Sequence, residues 1–265
     1  MKTVFSNVMA IYRRELQSYF SSPFAYIIAG VFWLLSGFFF IAILLGPDGL
    51  IAQVANRDAQ GITEPVDVPY QFLSVYLGVL GSLSLFILPM LSMGLYAEER
   101  KRGTLELLAT SPIPNWAVAL GKLLGVVTFF LTLILPLLVY EAIALSASDP
   151  PIQPVVLLLG HAGLILLAAA VLSLGMFISS LTDSTILAAI LTFALILFLW
   201  VVDLVATGIG GALGAALGHF SLVKNYTNLV QGVLDPSSIV VFVTYIVLGL
   251  FLTAQAIEAF RFQRS

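Results

Sequence analysis

Six uninterrupted apolar runs, at about Phe24–Gly46, Phe72–Tyr96, Trp116–Leu145, Val155–Leu181, Ser184–Ala206 and Ile239–Ala259, constrain this chain more than any other feature. A helix needs roughly 20 apolar residues to cross the hydrocarbon core of a bilayer. Each run supplies that length, and the polar breaks between them are too short for a water-soluble core. Only 9% of the residues are charged, against about 25% in a soluble globular domain. The expected fold is therefore an all-α membrane protein with six transmembrane helices, forming one membrane domain over residues 1–265. With no cysteine in the sequence, a disulfide, a thiolate metal site and a cysteine nucleophile are excluded.

The first residues are amphipathic rather than apolar. Val4, Phe5, Val8, Met9, Tyr12, Leu16, Tyr19 and Phe20 recur at helical spacing, with Arg14, Gln17 and Ser18 on the other side. Together with Lys2 and Arg13, this predicts a helix lying in the membrane interface over 1–23. The alternative is a secretory signal, but no A-x-A site precedes the first full-length run. Ser22-Pro23 ends the helix. If the N-terminus is cytoplasmic, then Lys2, Arg13, Arg14, Arg100, Lys101, Arg102, Lys122, Arg261 and Arg264 all fall inside, which is nine of the eleven Lys and Arg residues. The positive-inside rule thus predicts two cytoplasmic termini and a multi-pass protein of the inner (plasma) membrane.

Two breaks carry more information than the others. The segment Gly46–Pro69 is read as an outer loop with Asp48, Asp58, Glu64 and Asp67. Residues 207–238 are too apolar for a linker, and Gly210, Gly214 and Gly218 recur every fourth residue. The expectation is a pair of short helices that dip into the outer leaflet and return, allowed at membrane depth where protein satisfies the backbone. A glycine-rich surface linker is the alternative.

The strongly polar interruption is Ala97–Lys122, a hairpin on the cytoplasmic side. Gly121-Lys122 does not complete a phosphate-binding loop, which would need glycine at Trp116 and Ser or Thr at Leu123. Glu98-Glu99 resembles a paired-glutamate protease site, yet the arginine expected four residues later is Gly103. Neither an H-E-x-x-H nor a G-x-S-x-G motif is present. An enzyme is therefore not expected. Thr104 suits the cap of a short helix with Glu106 in its first turn and Leu105, Leu107 and Leu108 on its apolar side, stopped by Ser111-Pro112. The Arg100-Lys101-Arg102 trio suits lipid headgroups or an acidic partner surface; alone, it is also what the positive-inside rule requires.

The run Glu98-Glu99-Arg100-Lys101-Arg102-Gly103-Thr104-Leu105-Glu106-Leu107-Leu108-Ala109-Thr110-Ser111-Pro112, followed by Gly121-Lys122, resembles the signature of ABC-2-type transporter permeases. It is most similar to the branch of gliding-motility and copper-enzyme-maturation permeases. The resemblance extends to Arg13-Arg14-Glu15, Ser22-Pro23, the six spans and 220–235. It implies a permease that binds no cofactor itself, works with a separate ABC ATPase carrying ATP and Mg, and pairs with a second identical or homologous permease subunit. It further implies that 97–118 is the coupling hairpin, with Glu98, Glu99, Arg100, Arg102, Gly103, Thr104, Leu105, Glu106, Leu107, Leu108, Ser111 and Pro112 toward the ATPase. By the same resemblance, 207–238 is the outer gate and the direction of transport is export.

Glu141, His161 and Asp203 are the ionisable groups within the outer parts of the spans. Such groups are costly in a membrane and often functional. Either they cluster along an exit path, or Glu141 and Asp203 lie close enough to the interface to be solvated while His161 packs with a hydrogen bond. A clustered set would also serve a second function class, an ATP-independent secondary transporter or channel with Glu141, His161 and Asp203 as proton relay. Against that class, the two halves of the chain show no evident repeat. A third class, a scaffold without transport, leaves the glycine-rich segment without a purpose. No metal site is expected, since no second His or Cys accompanies His161 within its span.

Overall fold

The computed structural model describes residues 2–62, 66–105, 113–148, 152–209 and 211–262. These form eleven helices: α1 Lys2–Phe20, α2 Pro23–Leu45, α3 Leu50–Ala59, α4 Val68–Ser92, α5 Gly94–Lys101, α6 Asn115–Ser146, α7 Pro154–Leu181, α8 Thr185–Ile209, α9 Gly211–His219, α10 Leu222–Val230 and α11 Pro236–Phe262. No strand occurs among the described residues. Six helical segments, carried by α2, α4, α6, α7, α8 and α11, are long and apolar enough to span a bilayer. All six expected spans are helices, and the chain is an all-α membrane protein.

Proline and glycine set several of the boundaries. Pro23 and Pro154 sit in the first turns of α2 and α7, where a missing N–H removes no intrahelical bond. Asp67 caps α4 by accepting from the Tyr70 amide at 3.0 Å, and Ser221 caps α10 through Lys224 N, also at 3.0 Å. One expectation is corrected: residues 50–59, read as loop, form helix α3, which seats Leu50 in the core and packs on α2 and α4.

The bundle is built around α7, which packs against α4, α5, α6, α8, α10 and α11. Small residues bring the backbones together. A Cβ on Gly249 of α11 would meet the Ser173 carbonyl carbon of α7 at 2.6 Å, and one on Gly160 of α7 would meet the Leu77 side chain of α4 at 2.3 Å. In lipid there is little hydrophobic gain from burying one more leucine, so close backbone approach and dispersion contacts hold such helices. The outer surface is correspondingly apolar: Phe38 of α2, Phe198 of α8 and Val240 of α11 are each about 60% exposed. Water would penalise that surface, whereas hydrocarbon does not.

Helix α1 lies on α6. The contact is made by glycine, since a Cβ on Gly121 would meet Val8 O at 3.0 Å, and one on Gly125 would meet the Glu15 side chain at 2.8 Å. Val8, Ile11, Glu15, Leu16 and Tyr19 are partly covered, while Phe5 and Phe20, assigned from periodicity to the apolar face, are exposed. The Phe5 ring is 69% exposed, and the Phe20 ring also meets Phe129 of α6 edge-on at 5.5 Å.

Candidate functional site

The base of the Ala97–Lys122 hairpin is the most heavily connected polar region of the described chain. Pro89 lies in the last turn of α4, and the helix stops at Ser92 and restarts as α5 at Gly94. A restart leaves orphan backbone groups, and Ser179 of α7 satisfies three of them. Its Oγ accepts from Tyr96 N and Ala97 N, each at 3.0 Å, and donates to Met93 O at 2.7 Å. One residue on, Arg100 of α5 donates from Nη1 to Ser180 O at 2.9 Å and lies over the Phe260 ring of α11 at 4.8 Å. A cation there also faces the partial negative charge at the C-terminal end of α7.

Lys122 of α6 is the second connector. Its side chain is 5% exposed and its Nζ lies 3.2 Å from Glu15 Oε2 of α1 and 3.0 Å from Glu99 Oε1 of α5. Nζ also donates to Leu95 O at 2.7 Å and sits 4.9 Å from the centre of the Tyr96 ring. A buried ammonium is expensive unless all its protons find acceptors, and here two carboxylates and a carbonyl supply them. One lysine therefore joins α1, the hairpin and a span. Tyr19 of α1 adds a bond to Leu91 O of α4 at 2.5 Å. Burial, with Glu15 and Glu98 nearby, pushes the Tyr19 phenol well above its usual value and keeps it a neutral donor.

The sequence-predicted hairpin residues separate into two groups. Glu99 and Arg100 point into the protein and make the contacts above. Glu98, Arg102, Gly103 and Thr104 are exposed, with Glu98 and Arg102 paired across one turn at 3.4 Å. Gly103 adopts φ +70°, the left-handed conformation that ends helices at little cost to glycine. Gly103 N then bonds Arg100 O at 3.1 Å and Thr104 N bonds Glu99 O at 2.9 Å, which together form a Schellman motif. Thr104 Oγ1 donates back to Glu99 O at 3.2 Å, so in the described residues Thr104 closes α5. Its expected capping of a following helix concerns Glu106, Leu107, Leu108, Ser111 and Pro112, which lie outside the described residues. Leu105, read as an exposed docking residue, is 1% exposed and belongs to the core.

At the opposite end of the bundle the structure brings Glu141 of α6 and His161 of α7 together, with His161 Nε2 3.5 Å from Glu141 Oε1. Glu141 is fully buried and His161 is 3% exposed, which overturns the reading of Glu141 as solvated near the interface: the turns of α6 and α7 that carry the pair are enclosed by α4 and α10. Asp203 of α8 does not join them; its Oδ1 is buried without a hydrogen-bond partner. Gly210 lies outside the described residues. A Cβ on Gly214 would meet Ala206 O at 2.6 Å, so α9 does fold back tightly on α8, whereas Gly218 has nothing nearer than Lys224 Nζ at 3.5 Å. The expected three-glycine contact face therefore reduces, among described residues, to Gly214.

Sequence reasoning missed Ser179 and the partners of Lys122. A serine in an apolar helix carries no sign of what it will bond. Lys122 did give a signal: a cation two turns into an apolar helix must reach the interface or be paired, and Glu15 and Glu99 are the acids available at that end. No group of three or more His, Cys, Asp or Glu side chains suited to a metal ion occurs among the described residues.

No curated protein matches the chain. A family profile described as ABC-2 family transporter protein matches residues 52–252, from α3 to within α11 and through the whole hairpin. On that match and six spanning helices, the chain belongs to the ABC-2 transporter family and is a membrane permease component of an ABC transporter.

Proposed function

We propose that this chain is the permease subunit of an ATP-driven exporter whose ATPase is a separate chain, and that Ala97–Lys122 is where that ATPase pushes. The observation that carries the reading is the Lys122 junction. Any displacement of α5 is passed to α1 through Glu15, to α6 through Lys122, and to α7 through Ser179 and Ser180, with no compliant loop between. Among the described residues, the surface left for a partner is the exposed turn of Glu98, Lys101, Arg102, Gly103 and Thr104. In this reading both termini are cytoplasmic, the membrane is the inner (plasma) membrane, α1 lies in its interface, and α9–α10 form a re-entrant outer gate within a single domain. The ATPase partner carries ATP and Mg, and a second permease subunit completes the transporter; the weakly covered faces of α2 and α8 leave room for it. Membership of the gliding-motility and copper-enzyme-maturation branch is part of the proposal and rests on the 98–112 run.

The test is copurification from detergent with co-expressed candidate ABC ATPases from the same genome, followed by ATP hydrolysis with and without the permease. Complex formation that is lost in Lys101→Glu/Arg102→Glu, at unchanged permease level, is the expected result. A complex that survives both charge reversals removes the hairpin from the contact, and an absence of binding by any ABC ATPase removes the two-chain arrangement. Leu105→Asp is unsuitable as the probe, because it places a carboxylate in the core and unfolds the site it is meant to test.

The ATP-independent alternative, a relay through Glu141, His161 and Asp203, is less well supported, because Asp203 makes no hydrogen bond or ion pair with the other two.

A further inference from the structure

The Glu141–His161 contact has a requirement built into its atoms. His161 Nδ1 lies 3.0 Å from Leu157 O, and a carbonyl oxygen only accepts, so Nδ1 carries a hydrogen. In the neutral ring Nε2 then holds a lone pair, and that lone pair faces Glu141 Oε1 at 3.5 Å. If the carboxylate is ionised as well, two acceptors confront each other and neither has another partner: Glu141 Oε1, Glu141 Oε2 and His161 Nε2 are all buried without a hydrogen bond. One additional proton reverses the sign of the contact, whether it resides on the carboxyl oxygen as O–H···N or on the ring as N–H···O. With that proton the pair is neutral overall, the state a low-dielectric interior favours.

What surrounds the pair is the outer helical element. Tyr226 of α10 donates to Leu77 O of α4 at 2.6 Å. A Cβ on Gly81 of α4 would meet the Tyr226 ring at 2.4 Å, and one on Gly163 of α7 would meet Leu229 of α10 at 2.9 Å. Gly160 precedes His161 and Gly163 follows it by two residues, so the turn of α7 that carries the imidazole is also the seat of α10. The titratable groups facing the pair are Tyr76 of α4, Tyr140 of α6 and Tyr226 of α10, each close enough to feel the Glu141 charge. Tyr76 and Tyr140 share a hydrogen bond between their hydroxyls, and Tyr226 is committed to Leu77 O. Asp203 of α8, and Tyr245 and Glu258 of α11, make no ion pair with it.

We infer that Glu141 and His161 form a single-proton binding site that keeps α10 seated on α7 while the proton is bound and releases it when the proton is lost. Loss of the proton leaves an unpaired carboxylate beside a lone pair in the protein interior, and separating α6 from α7 to admit water relieves it. The seat therefore holds at lower pH and loosens as pH rises through the titration of the pair. The seating of α10 is a feature of the fold; its identification with the outer gate rests on the proposed function, and the two fail separately because the test below needs no ATPase.

The experiment uses the full chain in lipid nanodiscs and reads amide hydrogen exchange of 222–230 as a function of pH, after division by the intrinsic exchange rates, with infrared difference spectra of the carboxyl band on the same samples. In wild type, protection of α10 falls at least tenfold across one single-proton transition, and a protonated-to-ionised carboxyl change accompanies it. In Glu141→Gln the amide N–H permanently supplies the donor to Nε2, so α10 stays protected at all pH values and the carboxyl signal disappears. If Glu141→Gln does not fold, Glu141→Leu/His161→Leu serves, because it removes both titrating groups and fills the site with apolar side chains. Wild-type protection that ignores pH, or a pH transition that persists in these variants, overturns the inference.

Discussion

Replacing Lys122 with methionine, which keeps length and removes the charge, is the sharpest test of the hairpin base. The lysine side chain is 5% exposed and those of Glu15 and Glu99 are 17% exposed, so the variant leaves two largely covered carboxylates facing each other across an empty centre. Glu99 Oε2 is already buried without a partner and loses its compensating neighbour. Breaking a buried ion pair from one side costs about 3–5 kcal/mol. Because the cluster holds two acids and one base, Glu15→Gln behaves differently. It leaves the Lys122–Glu99 pair balanced and exchanges one charged bond for a neutral one, at about 1 kcal/mol. The assay is equilibrium unfolding of the purified permease in mixed micelles, with both variants measured beside wild type. The expected order is Lys122→Met far below Glu15→Gln, with a gap of about 2–4 kcal/mol. Equal losses in the two variants would refute the reasoning, because they would mean that the lysine acts only through hydrophobic contact with Tyr96 and not as the shared counter-ion.

Ser179→Ala should cost about 1–3 kcal/mol, the penalty for leaving buried backbone groups unbonded, and the loss should be local: amide exchange at Tyr96 and Ala97 accelerates while exchange within α8 does not. At the start of α11, Asp235 accepts from Ser237 N at 2.9 Å and from the Ser237 hydroxyl, and these bonds hold its carboxyl below the usual range. A depressed folded value means that the bonds' stabilisation is present above the unfolded carboxylate range and is lost as pH falls through the folded value. Backbone amide shifts at Ser237 should follow that acidic titration in wild type and be flat in Asp235→Asn.

Some of this was written in the local sequence and some was not. The break between α1 and α2 was legible because Pro23 acts on its own turn; Pro154, Asp67 and Ser221 do the same for α7, α4 and α10 and were not read from the sequence. The short helices α9 and α10 could be anticipated, since apolar, glycine-rich segments between spans are poor linkers. Helix α3 was missed because it is only ten residues long and lies between the turn-forming Gly46-Pro47-Asp48-Gly49 and Gln60-Gly61; Leu50, seated against α2 and α4, anchors it. Periodicity put Phe5 and Phe20 on the membrane-facing apolar side of α1 and said nothing of what packs on α6. That contact is decided by where Gly121 and Gly125 leave room, along a strip that meets Val8, Ile11 and Glu15.

The sequence by itself determined that this chain lives in a bilayer as six helices, since continuous apolar runs leave the backbone no other way to satisfy its hydrogen bonds. It also marked the hairpin as the polar end and named the acids and bases available there. Partnership was decided only by the tertiary structure. Glu141 faces His161 and not Asp203, Lys122 holds Glu15 across 107 residues and Glu99 across the hairpin, and Leu105 turns inward. The physical reason is that lipid does not sort side chains by polarity as water does. The rotation of each helix is set by steric fit between small residues and by the few buried polar groups that must find one another, and both depend on elements far apart in the chain.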